Sequence, residues 1–148
     1  MKTALTILAF ASVLAACQSE TIEKSSTTTT PTETMSVSTA FDTTGQTLLV
    51  KGTFENAVHT TSGVARVYED KNKKRTLVLE NFKTDAGPDL RIYLAEDKSV
   101  TNFVQVTGKV QNGNSAIAIP SNANLQTQAY VLIWCRQFAV LFGAAKLK

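Results

Sequence analysis

Between Thr47 and Leu147 the apolar residues of this chain come in eight short runs, and none continues at helical spacing. The runs are "TLLVKGTF" (Thr47 to Phe54), "VARVY" (Val64 to Tyr68), "TLVLENF" (Thr76 to Phe82), "LRIYLAE" (Leu90 to Glu96), "FVQVTGKV" (Phe103 to Val110), "SAIAIP" (Ser115 to Pro120), "AYVLIWC" (Ala129 to Cys135) and "FAVLFGAAKL" (Phe138 to Leu147). Segments this short, rich in Val, Ile, Leu and aromatic residues, read as strands. The clusters between them, "EDKNKK", "DAGPD", "QNGN" and "PSNAN", supply the Gly, Pro, Asn and Asp that turns require. Eight strands at short spacing with no strong helix predict an all-β fold, an antiparallel β-sandwich or barrel-like domain over residues 40–148. Only "SNANLQTQ" has room for a short helical turn.

Residues 1–16 read as a signal peptide. "MKTALTILAFASVLAAC" places one Lys, an apolar run too short to span a bilayer, and small residues before Cys17. Its end, "LAAC" at Leu14 to Cys17, resembles a bacterial lipobox, which implies cleavage before Cys17 and a diacylglycerol on its sulfur. Residues 17–39 then form a Ser/Thr-rich tether from the lipidated cysteine, with almost nothing to bury. Flexible coil of that length has an r.m.s. reach of roughly 25 Å. The expected location is the cell envelope, lipid-anchored, at the outer membrane or periplasmic face of a Gram-negative cell, with the membrane as one partner. Lipid on Cys17 leaves Cys135 as the single free thiol, and outside the cytoplasm an odd cysteine calls for an explanation.

Charge excludes one class of partner. With 15 Lys and Arg against 12 Asp and Glu, the surface is nearly balanced, and nucleic-acid binding has no electrostatic support. The densest basic run, "KNKKR" at Lys71 to Arg75, sits between two apolar runs and reads as a solvated hairpin tip.

Three spaced motifs, "GTFENAVHTTSGVARVYED" (Gly52 to Asp70), "RTLVLENFKTDAGPDLRIYLAE" (Arg75 to Glu96) and "YVLIWCRQFAVLFGAAKL" (Tyr130 to Leu147), closely resemble the DM13 domain of cell-surface proteins and bacterial lipoproteins. The resemblance runs from about Gly52 to Leu147. It implies that Cys135, in the "WC+xF" segment, is the signature residue. It further implies electron transfer, either by the bare thiol or through a prosthetic group such as haem, with a redox partner protein.

Two readings of Cys135 stand side by side. On a strand it shares a face with Val131 and Ile133, where an apolar setting makes a thiol inert and the residue a small buried hydrophobe. Against that stands the redox reading implied by the resemblance, with Cys135 at the end of its strand. His59, between two predicted strands, is the candidate proton acceptor for the thiol; its alternative is a loop histidine bonded to Thr60 or Thr61. Arg136 is a candidate thiolate stabiliser, provided the strand bends or bulges there.

Ligand arithmetic narrows the cofactors. After processing, the chain owns one His (His59), one Cys (Cys135) and one Met (Met35). That excludes blue copper, a Cys/His zinc site and iron–sulfur clusters within one chain. Non-covalent haem with Cys135 or His59 as axial ligands survives, and so does no cofactor at all. "DAGPDL" offers too few oxygens for a hard cation; it reads as a turn set by Gly87 and Pro88, with Asp89 capping backbone N–H groups.

The leading expectation is therefore a lipid-anchored redox domain acting through Cys135. The alternative is a non-catalytic surface binding or adhesion module with Cys135 as packing. No paired-carboxylate, Ser-His-Asp or phosphate-loop motif points to a turnover enzyme.

Overall fold

The structure, a computed structural model, describes residues 41–148. The expected signal peptide (residues 1–16), lipidation at Cys17 and tether (residues 17–39) lie outside the described residues. The eight predicted strands form: β1 (Thr47–Asn56), β2 (Thr61–Glu69), β3 (Arg75–Thr84), β4 (Leu90–Ala95), β5 (Val104–Thr107), β6 (Gly113–Ala118), β7 (Tyr130–Cys135) and β8 (Val140–Lys146). "SNANLQTQ" does make one tight turn, in which the Gln128 amide donates to the Asn124 carbonyl at 2.7 Å.

All pairings are antiparallel, and the strands join one sheet in the order β5-β4-β7-β8-β1-β2-β3-β6. The edge strands β5 and β6 approach each other, so the sheet curls into a nearly closed barrel. Of the two predicted architectures, the barrel is the one formed. Strand β1 explains why a sandwich also fitted the sequence: its first part, Thr47 to Thr53, pairs with β2, and its last part, Phe54 to Asn56, pairs with β8. One long strand thus serves both halves of the sheet. Curvature is helped by a bulge in β2 between Ser62 and Val64, where Gly63 has φ 113°. A Cβ on Gly63 would lie 2.7 Å from the Phe82 Cα, so no larger residue fits there without moving β3.

Alternation decides what fills the barrel. Phe54, Ala65, Val67, Leu77, Leu79, Phe82, Ile92, Leu94, Val131 and Ile133 point inward and are buried together. Strand β7 is an exception to one-sided burial, because Leu132 on its outer face is also fully buried, in a second cluster with Tyr93, Ala95 and Ala144. The Phe103 ring covers part of that outer cluster, with its centroid 4.5 Å from that of Tyr93. Two-sided covering is why β7 reads as an unbroken apolar run rather than an alternating one. No buried side-chain nitrogen or oxygen among the described residues lacks a hydrogen-bond partner.

Candidate functional site

Cys135 is the last residue of β7, with its Cα opposite Leu90 of β4 on one side and Val140 of β8 on the other. Its side chain shares the inner face with Val131 and Ile133, as alternation predicts, and it is 0% exposed. The thiol is free. Immediately after it the chain reverses through Arg136–Ala139, with Ala139 at φ 52° and Phe138 projecting into solvent. The predicted last strand therefore starts two residues later than expected, at Val140 rather than Phe138, because this tight turn uses those residues.

The segment Asp85–Asp89, which links β3 to β4, folds over this end of the barrel. Gly87 is the point of closest approach: a Cβ there would lie 2.7 Å from Leu90 Cδ2 and 2.9 Å from Phe142 Cζ. Leu90, opposite Cys135 across the β4–β7 register, and Phe142 belong to the same apolar group as Cys135, so the segment closes this group at the end where β7 stops.

Polar anchors hold both ends of this cap. At one end Asp85 Oδ2 accepts the Thr60 amide at 3.1 Å and lies 3.4 Å from Nδ1 of His59. The Asp85 amide returns a bond to the Thr60 carbonyl at 3.3 Å. The His59 ring is stacked on Phe142, with centroids 3.8 Å apart. At the other end Asp89 binds Arg91 through Oδ1 and Arg136 Nε through Oδ2 at 3.0 Å, and its carbonyl accepts the Arg136 amide at 2.9 Å. The Arg91 guanidinium, with Arg136 adding its charge, holds the Asp89 carboxyl below the usual carboxylate range. The expectation that Asp89 caps backbone N–H groups is corrected here: its partners are two guanidinium groups. A charged fork offers a carboxylate stronger bonds than a turn amide does, and the strand register brings Arg136 alongside.

The two residues picked out around the thiol, His59 and Arg136, thus converge on one end of the barrel but not on the sulfur. His59 is held by Asp85 and Phe142 and makes no hydrogen bond to Cys135 or to the side chains of Thr60 and Thr61. Arg136 is exposed and bound to Asp89. There is a bulge in the β7–β8 pairing, between Ile133 and Trp134, yet it leaves Arg136 on the outside. The residues that sequence reasoning passed over are Asp85, Phe142 and Arg91. Asp85 meets His59 through the β2–β3 pairing and Phe142 meets it through the β1–β8 pairing, which no local spacing marks, whereas Arg91 stands two residues from Asp89 and was within reach of the sequence.

Haem does not fit this arrangement. Cys135 contributes to the walls of none of the clefts of about 510, 250 and 380 Å³ on the domain, and His59 lies flat against Phe142 instead of facing a slot. The first of these clefts lies beside the cap, walled by Asp85, Pro88 and Asp89 on one side and by Gly108, Lys109 and Asn112 on the other. Among the described residues, no group of three His, Cys, Asp or Glu side chains converges to hold a metal ion.

What the arrangement can do chemically is keep one thiol out of water behind a polar, exposed cap. The family model described as electron transfer DM13 matches residues 53–147, which takes in every strand but the first residues of β1. No match is found among curated proteins or among solved structures.

Proposed function

The chain belongs to the DM13 family, and on that premise we propose that it is a cell-envelope lipoprotein whose barrel domain passes electrons as thiol equivalents through Cys135. The observation that carries the reading is the place of the thiol. It sits at the last pair of β7, under a cap fastened by polar contacts, so it can be reached by displacing Asp85–Asp89 without unpairing the barrel. Once exposed, the Cys135 thiolate attacks the disulfide of a partner protein. One Cys135–S bond to a partner sulfur forms, the partner S–S bond breaks, and the thiol proton ends on the departing partner sulfur. One thiol of a second, dithiol partner then attacks the Cys135 sulfur of the mixed disulfide, its proton passing to the first partner, which leaves as a dithiol; the other thiol of the second partner displaces Cys135 as a thiol and closes the disulfide there, so that two electrons have passed from the second partner to the first. The "LAAC" sequence supports the anchor, with lipid on Cys17 and the remaining cysteine free for this work.

Complete burial favours a second reading, in which Cys135 only packs against Val131 and Ile133 and the domain is a binding module. Incubation of the folded protein with oxidised glutathione separates the two. The redox reading expects a glutathione adduct on Cys135, absent from Cys135→Ser, while the domain stays folded. An adduct that forms only after denaturation supports the packing reading.

A further inference from the structure

Strands β2 and β3 bulge at the same level. Gly63 shifts the β2–β3 register between Ser62 and Val64, and Asn81, at φ 50°, lies where the β3–β6 register shifts between Leu79 and Phe82. A Cβ on Gly63 would lie 3.0 Å from the Asn81 oxygen, so the two bulges face each other. Bulges re-aim side chains, and beside this pair a cleft of about 250 Å³ opens on the outside of β2, β3 and β6. Tyr68 of β2, with the Phe41 ring 5.4 Å from its own, makes the apolar side. Glu80 and Asn81 of β3, with Asn114 and Ser115 of β6, make the polar side.

These polar groups are held in place and only partly spent. Glu80 Oε2 accepts from Arg66 Nε at 2.8 Å, and Asn114 Oδ1 accepts the Asn81 amide at 2.7 Å. Glu80 Oε1, the Asn114 Nδ2 group and the Ser115 hydroxyl make no hydrogen bond among the described residues, and each remains open to a ligand. The Phe41 side is fixed too, since Asp42 accepts the Thr44 amide at 2.8 Å and the Thr43 carbonyl accepts the Gln46 amide at 3.0 Å.

Charge then selects the ligand. Among the described residues no Lys or Arg lines the cleft, so an anion finds no counter-charge, and Arg66 already neutralises Glu80, so a cation finds none either. What is left is an aromatic wall opposite fixed acceptors and donors. A neutral ring with C–H bonds on one face and hydroxyls at its edge matches both sides. The volume falls below the range of about 300–1,000 Å³ that holds drug-sized molecules, which leaves room for one ring.

We infer that this cleft binds a single neutral hexopyranose, with its C–H face on Phe41 and Tyr68 and its hydroxyls on Glu80, Asn114 and Ser115. The site shares no residue with the Asp85–Asp89 cap and does not depend on the chemistry of Cys135.

Saturation-transfer NMR on the full chain tests it, with glucose, galactose, mannose and N-acetylglucosamine, each free and as its methyl glycoside, at about 10 mM to suit a millimolar Kd. At least one sugar should take up saturation, most strongly at its ring C–H protons. Phe41→Ala and Asn114→Ala should each weaken that binding by about fivefold, the loss of one aromatic face or one neutral hydrogen bond. Ser115→Ala, which leaves the Asn81 bond intact, should do the same and keeps the test open if Asn114→Ala misfolds, while Lys109→Ala should change nothing. Equal binding of free and methylated forms assigns the end of a glycan chain as the ligand; binding of the free forms alone assigns a free sugar, and either supports the site. No transfer to any of these sugars, transfer that the cleft variants leave unchanged, or binding of choline in their place would overturn the inference.

Discussion

The barrel closes its two ends by different means. At the end where the β2–β3 hairpin turns, Ile119, Ala123 and Leu147 are buried at 8%, 4% and 5% exposure, and the neighbouring Gln128 uses both its amide atoms, donating to Asn102 and accepting from Asn124. At the thiol end the closure is the Asp85–Asp89 cap, held by His59, Thr60, Arg91 and Arg136 through partly exposed ion pairs and loop hydrogen bonds. Apolar burial of whole side chains is worth about 1.5–3 kcal/mol each, while exposed ion pairs are worth about 0–1 kcal/mol. The difference sets where the molecule can open. On the function proposed above, the β2–β3 hairpin end comes apart only when the domain unfolds, and the thiol end opens by itself.

The largest effect that would break this contrast is expected at the apolar end. Leu147→Ala should lower global stability in urea by about 2–5 kcal/mol, the range for a buried Leu truncated to Ala. If the ends differ as described, it should leave native-state access to Cys135 unchanged relative to unfolding. Next comes Gly87→Ala. Its new Cβ would press on the ends of Leu90 and Phe142, which can give way, so a loss of about 1–3 kcal/mol is expected together with faster reaction of Cys135. An unchanged reaction rate would mean that the cap does not control access.

Asp89→Asn should act almost entirely at the thiol end, releasing Arg136 and the cap with a smaller change in the unfolding midpoint than Gly87→Ala. The wild type supplies the same test by acid. The Asp89 carboxyl titrates below its unfolded value, so its anchoring is complete above the ordinary carboxylate range and is lost as pH falls through the lowered value. Corrected exchange protection of the Arg136 amide, which donates to the Asp89 carbonyl, should fall over that acid window, and Asp89→Asn should remove the dependence. The smallest effect belongs to Lys98→Ala. Its pair with Glu55 at 3.3 Å belongs to neither closure, and the loss should stay below ~0.5 kcal/mol with no change at Cys135.

The strands were legible because short apolar runs bounded by turn residues leave little choice, and all eight formed within a few residues of the expected limits. The inward direction of Cys135 followed from period-two alternation with Val131 and Ile133. The β1 strand was harder: "TLLVKGTF" gives no sign that its end changes partner from β2 to β8, since that depends on the bulges and curvature of the whole sheet. The site was legible only as a list of residues. Arg136 follows Cys135 in sequence, yet the residue opposite it across the β4–β7 register is what captures its guanidinium, and that residue, Asp89, lay in a segment read as a simple turn. His59 and Asp85 meet for the same reason. Contacts set by strand pairing leave no trace in local spacing.

Local opening at the thiol end is the claim on which the function depends, and the reaction of Cys135 with a thiol reagent as a function of low urea concentration tests it most directly. With urea raised well below the unfolding transition, the account predicts a measurable native-state rate that hardly changes, with an opening free energy clearly below that of global unfolding. A rate that falls to the global unfolding value and rises with the full urea dependence of unfolding would contradict it, and would leave Cys135 as core packing.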